Sequence, residues 1–223
     1  MSGETGAWQL FERDPVGYEE WYATPRGRRA DLAERALLER LLAPYAAAQS
    51  ALEVGCGTGH FTRWLAGRMP HVVGLDRAPA MLAEARRRCP RLLLVEGDAH
   101  HLPIRSRSID LSVFVITLEF VERPAMALAE AVRVARQGVL VVALNRWSPG
   151  GVSRRWGHDA RGFLLGRARD FTLASLRELA STAAGPRLHT LRWASALFPG
   201  GIARMPARIP LGDVIGVAVG LAA

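Results

Sequence analysis

The chain has 223 residues, 49% of them apolar, and a formal net charge of +8 carried without any lysine, so all 29 basic residues are arginine. That length fits one domain with a sizeable core, and the longest apolar stretches, "VFVITL" and "VIGVAVGLAA", fall well short of the ~20 residues that span a bilayer. Cys56 and Cys89 suit a reducing compartment and offer no metal-ligand spacing, and "MSGETGAWQLFERD" has no apolar core of a signal peptide, so the expectation is a cytoplasmic protein with no metal site.

Taken in chain order, the first feature is aromatic. Trp8, Phe11, Tyr18, Trp21 and Tyr22 crowd into one short segment of a chain that is only 7% aromatic. "RRADLAERALLERLLAPY" then reads as a helix with Leu32, Ala36, Leu37 and Leu41 on its apolar face and Pro44 beyond its end. "ALEV" reads as a strand. It runs into Gly55, Gly57 and Gly59 at alternate positions and a helix near "GHFTRWLAGRM". A strand "HVVGLD", a helix "APAMLAEARRRC" and strands "RLLLVEGD" and "IDLSVFVI" follow. The helix "PAMALAEAVRVAR", ended by Gly138, leads to the strand "GVLVVAL". Continuous apolar strands alternating with helices predict a doubly wound α/β fold, Rossmann-like, with helices on both faces of a mostly parallel sheet.

The last third differs. "TLASLRELASTAAG" reads as a helix with Thr172 as N-cap and Gly185 past its end. "RLHTLRWA" and "DVIGVAVG" read as two strands with no helix between them, an antiparallel edge. Residues 146–223 hold 11 Arg against 4 acids, whereas residues 1–145 hold 18 Arg against 17 acids. A local excess of that size attracts anionic partners, and Arg146, Arg154, Arg155, Arg204 and Arg208 are the candidates.

In an open α/β sheet, ligands sit beyond the carboxyl ends of the strands. Three loops at that edge carry residues the core does not need. The glycines let a ligand approach the backbone. Asp76 ends the second strand and can accept both hydroxyls of a ribose; Asp98 ends the third and can accept from an exocyclic amine. The set describes a pocket for an adenosine. A dinucleotide turn needs G-x-G-x-x-G; here the third glycine comes one residue early. Together with the lack of any Tyr-x-x-x-Lys pair, this counts against the alternative of an NAD(P)-dependent oxidoreductase.

"LEVGCGTG", "GLDRAPAML", "VEGDAHHLP", "IDLSVFVITLEFV" and "RQGVLVVALNRW" resemble the motifs of class I S-adenosylmethionine-dependent methyltransferases. The likeness is to the small-molecule branch of ubiquinone and menaquinone biosynthesis type (methyltransferase type 11), roughly over Tyr18 to Leu144. The resemblance implies a sheet with a final antiparallel strand and the cofactor S-adenosylmethionine, leaving as S-adenosylhomocysteine. It implies that Glu53 meets the cofactor ammonium, that Gly55, Cys56, Gly57 and Gly59 form the turn around its methionine portion, and that Asp76 holds the ribose. Arg77 and Met81 then flank the adenine, Asp98 and Ala99 hydrogen-bond its edge, and Phe114 and Val115 close the pocket near the sulfonium. Tyr18 matches a tyrosine that reaches the cofactor carboxylate. Catalytic candidates are His60, Tyr18 and Glu119. Phe120 stands where many relatives carry histidine, and His100 and His101 are expected to be exposed. Tyr22, Asn145, Arg146 and Trp147 are acceptor-side candidates.

The expected organisation is one domain: residues 1–45 a helical, aromatic lid, residues 46–145 the cofactor core, residues 146–223 a basic part with acceptor-site elements and the last strands. The acceptor is expected to be small or lipid-like, and anionic if the basic tail faces it. No nucleic acid partner is expected. The sequence allows peripheral membrane contact, a monomer or a homodimer, and a catalytically silent cofactor-binding regulator.

Overall fold

The computed structural model describes residues 7–149, 168–198 and 206–222. The expectations on Arg154, Arg155 and Arg204 lie outside them. Seven strands form one sheet in the order β3-β2-β1-β4-β5-β7-β6. They are β1 (Ser50–Val54), β2 (His71–Asp76), β3 (Leu93–Glu96), β4 (Ile109–Val115), β5 (Ala135–Leu144), β6 (Leu188–Ala196) and β7 (Val214–Leu221). The first five are parallel. β7 inserts antiparallel between β5 and β6. The strand order reverses between β1 and β4, and the carboxyl ends of β1, β2 and β4 meet there.

The described helices are α1 (Pro15–Trp21), α2 (Pro25–Leu42), α3 (His60–Ala66), α4 (Pro79–Arg88), α5 (Pro124–Val134) and α6 (Leu173–Ala184). The strands have two apolar faces because both are covered. Val139, Val141 and Ala143 of β5 join Leu128 and Ala131 of α5 and Leu176 and Ala180 of α6 in one core. Leu140, Val142 and Leu144, one residue out of phase, join Leu37, Leu38 and Leu41 of α2 and Phe61 and Leu65 of α3 in the other. α6 begins as expected. The Thr172 hydroxyl accepts from Ser175 N–H at 3.0 Å, and Ser175 Oγ accepts from Thr172 N–H at 3.0 Å, a reciprocal cap.

Three expectations are corrected. Leu32 is 68% exposed, and the buried stripe of α2 is Ala30, Glu34, Leu37, Leu38 and Leu41. The helix therefore starts at Pro25, behind the Thr24 cap, and is rotated from the face its leucines suggest. Gly138 does not end α5. That helix stops at Val134, and Gly138 is inside β5, paired with Leu111 and Gly220. A Cβ at Gly138 would lie 2.8 Å from the Tyr45 ring and from Val219 O, so glycine is there for close packing of the segment after α2. β3 is also shorter than "RLLLVEGD", an edge strand whose Leu93 is 60% exposed.

Candidate active site

The glycine turn leaves β1 at Val54. Gly55 and Gly57 have φ of 75° and 52°, a region that disfavours residues with a Cβ. A Cβ on Gly55 would collide with the Thr117 side chain, and one on Gly57 would lie 3.2 Å from Met81 Cε. Gly55 N–H and Cys56 N–H both donate to Leu75 O, at 2.7 and 3.0 Å, so the turn folds over the end of β2. Asp76 completes this joint. One of its oxygens accepts Gly57 N–H at 2.7 Å and the other Ala78 N–H at 2.8 Å. Burial pushes the Asp76 carboxyl above the usual aspartate range despite these backbone donors.

The next loop holds Asp98 against Gly97 and Ala99. Asp98 Oδ1 accepts from the backbone N–H of His100 at 2.9 Å and lies 2.6 Å from His100 Nδ1. Its Oδ2 is 3.8 Å from Arg77 Nη1, which is also 3.9 Å from Glu122. Burial raises the Asp98 pKa, but the His100 hydrogen bonds and the Arg77 charge win and hold it below the usual range. The third wall follows β4. Ile116 adopts φ 50°, unusual for a β-branched residue, and this turns Thr117 and Phe120 towards the cleft.

Aromatic residues from the N-terminal segment roof the cleft. Phe11 packs edge-on against Phe120 with ring centroids 4.9 Å apart and against Tyr18 at 5.9 Å. Arg77 sits 5.2 Å from the centre of the Trp8 ring. The cleft spans about 660 Å³ of space, open solvent at its mouth included. Tyr18, Gly55, Gly57, Asp76, Arg77, Met81, Asp98 and Ala99 line it, so eight sequence-derived positions meet in one place.

Residues 52–143 match the family model described as a methyltransferase domain. A SAM-dependent methyltransferase of Thermotoga maritima superposes with a TM-score of 0.80 at 25% identity, covering 96% of this chain and 99% of that one. Residues 52–143 are a methyltransferase domain of the S-adenosylmethionine-dependent kind. The malonyl-[acyl-carrier protein] O-methyltransferase of Pectobacterium atrosepticum is 33% identical over 105 residues, 46% of this chain and 42% of that protein. Magnesium protoporphyrin IX methyltransferase of Synechocystis, solved with bound SAH, shares the fold at 12% identity and a TM-score of 0.66, over 97% of this chain and all of that one. The first curated relatives are matched over less than half their length.

Several expected site residues lie elsewhere in the methyltransferase domain. Phe114 and Val115 are core residues on opposite faces of β4; Ile116 and Thr117, the next two, line the cleft instead. Cys56 is buried under the turn, its thiol pKa raised by burial, and Gly59 is the left-handed N-cap of α3. Neither lines the cleft. Glu53 is 2% exposed and accepts the Thr62 hydroxyl. Burial, outweighing that hydrogen bond, pushes it up to about 8. It stands behind the glycine turn rather than in the cleft.

His60 does not face the cleft either. Tyr22 stacks on it at 3.8 Å, which places Tyr22 in the core rather than at an acceptor. His60 Nε2 lies 2.7 Å from Asp31 and Nδ1 3.4 Å from Glu19, and the two carboxylates raise its pKa against the effect of burial. Glu19 also accepts from the Thr58 hydroxyl and, at 2.5 Å, from Arg63. Burial opposes ionisation of Glu19, yet these partners hold it at about 2. The cluster fastens α1 to the start of α3.

Glu119 is 3% exposed and accepts Leu144 N–H at 2.5 Å, joining the loop after β4 to the end of β5. Asn145 is 1% exposed and donates to Pro210 O and Gly212 O. Both are structural ties. Arg146 and Trp147 follow β5; Trp147 is 61% exposed, with Arg146 5.8 Å from its ring centre, and neither lines the cleft. His100, expected to be exposed, is 4% exposed and lines the cleft. The overlooked signal is its place two residues after Asp98, the spacing at which an aspartate caps a backbone N–H. Among the described residues, no helix is long and apolar enough to cross a membrane.

Proposed function

We propose that this chain transfers the methyl group of S-adenosylmethionine to a small or lipid-like acceptor. The observation that carries the reading is the convergence of the bare glycine turn, Asp76 and Asp98 on one cleft roofed by aromatic side chains. On this reading Asp76 accepts the ribose hydroxyls on lone pairs left by Gly57 and Ala78. Arg77 and Met81 flank the adenine, and Asp98 Oδ2 and the Ala99 N–H meet its edge. Gly55 and Gly57 carry the methionine portion, and Tyr18 stands at its carboxylate. Glu53 acts on the ammonium from behind the turn, through water.

The bound cofactor supplies an electrophilic methyl carbon on a positively charged sulfur. As the acceptor atom bonds to that carbon, the carbon–sulfur bond breaks and its electron pair stays on sulfur. An acceptor proton, where there is one, leaves to solvent. The protein's contribution is alignment, which supplies several kcal/mol through effective molarities of ~10⁵ M or more, and exclusion of water as a competing nucleophile. His60 and Glu119 are engaged elsewhere, so neither is assigned as a base.

The Phe11–Phe120–Tyr18 roof supports an acceptor with an apolar or planar part. The basic stretch 146–223 supports an anionic group on it. The match to the malonyl-[acyl-carrier protein] enzyme covers under half of that protein, so its acceptor is not carried over. Residues 1–45 cover the cleft, 46–145 hold the cofactor and 146–223 add acceptor-site elements. On the same reading the protein is cytoplasmic, a monomer or homodimer, and has no nucleic acid partner. The test is transfer of a labelled methyl group from S-adenosylmethionine to a panel of phenols, carboxylates, amines and quinols. Turnover of at least one is expected. Tight cofactor binding with no turnover across the panel would favour the catalytically silent regulator.

A further inference from the structure

We propose that His100 is a positioning residue that sets the base specificity of the cofactor site: its imidazole, held as the Nδ1–H tautomer, fixes Asp98 with one oxygen turned into the protein and the other offered to the exocyclic amine of adenine. The proposal rests on the adenosine reading of the cleft given above.

The tautomer follows from hydrogen-bond bookkeeping. The backbone N–H of Arg123 lies 3.2 Å from His100 Nε2, and a backbone N–H can only donate. Nε2 is therefore the acceptor, and the proton sits on Nδ1. Nδ1 then donates to Asp98 Oδ1 at 2.6 Å. The same oxygen takes the His100 backbone N–H at 2.9 Å, so it is occupied twice by one residue. Among the described residues, Oδ2 has only the long approach of Arg77 at 3.8 Å, a contact an incoming amine can replace.

The loop is built to keep this arrangement. Asp98 and His101 form an isolated antiparallel bridge, with His101 N–H on Asp98 O at 3.0 Å, so residues 98–101 make one tight turn. The His100 ring is 4% exposed and anchored at its far side to the residue that opens α5. It therefore links two walls of the cleft, the turn after β3 and the segment Val121–Glu122 before α5. A ring held at both nitrogens has no freedom to release Asp98. An aspartate whose free oxygen is fixed discriminates sharply. Adenine presents an N–H donor there, whereas hypoxanthine presents a carbonyl oxygen that would face a carboxylate.

The test compares S-adenosylhomocysteine with S-inosylhomocysteine by calorimetry on the full chain. Wild type is expected to prefer the adenine compound by at least about 30-fold, the effect of one hydrogen bond to a charged group. His100→Asn places an amide N–H where Nδ1 stood and is expected to retain most of that preference. His100→Gln places its amide nearer Nε2 and is expected to reduce the preference about tenfold while changing the affinity for the inosine compound less than twofold. A purely structural His100 would weaken both ligands equally in either variant and leave the ratio intact; that result overturns the proposal while the adenosine reading stands. A wild type that binds neither compound overturns the adenosine reading and the proposal with it; one that binds both alike overturns the proposal and leaves the cofactor site standing. Thermal melts and circular dichroism of the two variants identify any that has lost its fold; if Gln unfolds, the same ratio is read from His100→Ala.

Discussion

Glu19→Gln isolates the joint between the roof helix and the glycine turn. The side chain is 8% exposed and is bound by Thr58, Arg63 and His60, with Asp31 and Arg35 on the far side of His60. Its pKa is displaced from 4.5 to about 2, which corresponds to about 3 kcal/mol of folded-state preference for the carboxylate. Arg63 is 28% exposed, and solvent screening there brings the expected loss of stability to about 2 kcal/mol. Because the folded pKa is depressed, this contribution is fully present above the unfolded value near 4.5 and disappears as pH falls towards 2. Urea unfolding of wild type and variant should therefore differ by about 2 kcal/mol at pH 7 and pH 6, differ by less at pH 3.5, and converge only near pH 2. Tyr18, the neighbouring residue, faces Gly57, where a Cβ would lie 3.8 Å from its ring. Loosening α1 should thus weaken S-adenosylhomocysteine about tenfold, or about 1.4 kcal/mol. A stability difference under 0.5 kcal/mol at pH 7, or one independent of pH, would refute the reasoning.

Asp76→Ala should weaken S-adenosylhomocysteine by about 1–3 kcal/mol in calorimetry; unchanged affinity removes Asp76 from the site. Glu53 has its folded pKa raised to about 8, so wild type should lose stability as pH rises from about 4.5 to 8. Glu53→Gln, which cannot ionise, should match it at pH 4 and exceed it by up to about 4 kcal/mol at pH 8.5, measured by urea midpoints. Gly138→Ala pushes a methyl group against Tyr45 and Val219 O and should cost about 1–3 kcal/mol in the same assay. If residues 146–223 steer an anionic acceptor, KM should rise with salt past ~0.1 M while kcat holds.

Most strands were legible because apolar runs between turn residues repeat along the chain, and β2 (His71–Asp76) has the limits its residues suggest. α2 departs from its leucine periodicity because its buried stripe contains Glu34 while Leu32 points to solvent. Periodicity weighs residue type, and a buried acid breaks it. Gly138 reads as a helix stop because a glycine needed for packing against Tyr45 looks the same in sequence. In the site, the residues whose spacing reflects the sheet edge, such as Asp76, Asp98, Gly55 and Gly57, meet as expected. His60, Tyr22 and Glu119 do not, because their partners are about 25–40 residues away in sequence. Nothing local marks a histidine that neutralises Glu19 and Asp31 instead of facing a ligand. Phe114 and Val115 fall two residues short of the cleft because β4 runs to Val115 before the chain turns at Ile116.

The central claim is that the cleft beneath Tyr18 and Phe11 is a site for S-adenosylmethionine. Calorimetric titration of the full chain with S-adenosylhomocysteine and, separately, with NAD tests it most directly. Micromolar binding of S-adenosylhomocysteine at one site per chain, lost in Asp76→Ala, and no heat with NAD is the expected result. Tight NAD binding with no response to S-adenosylhomocysteine would contradict the account.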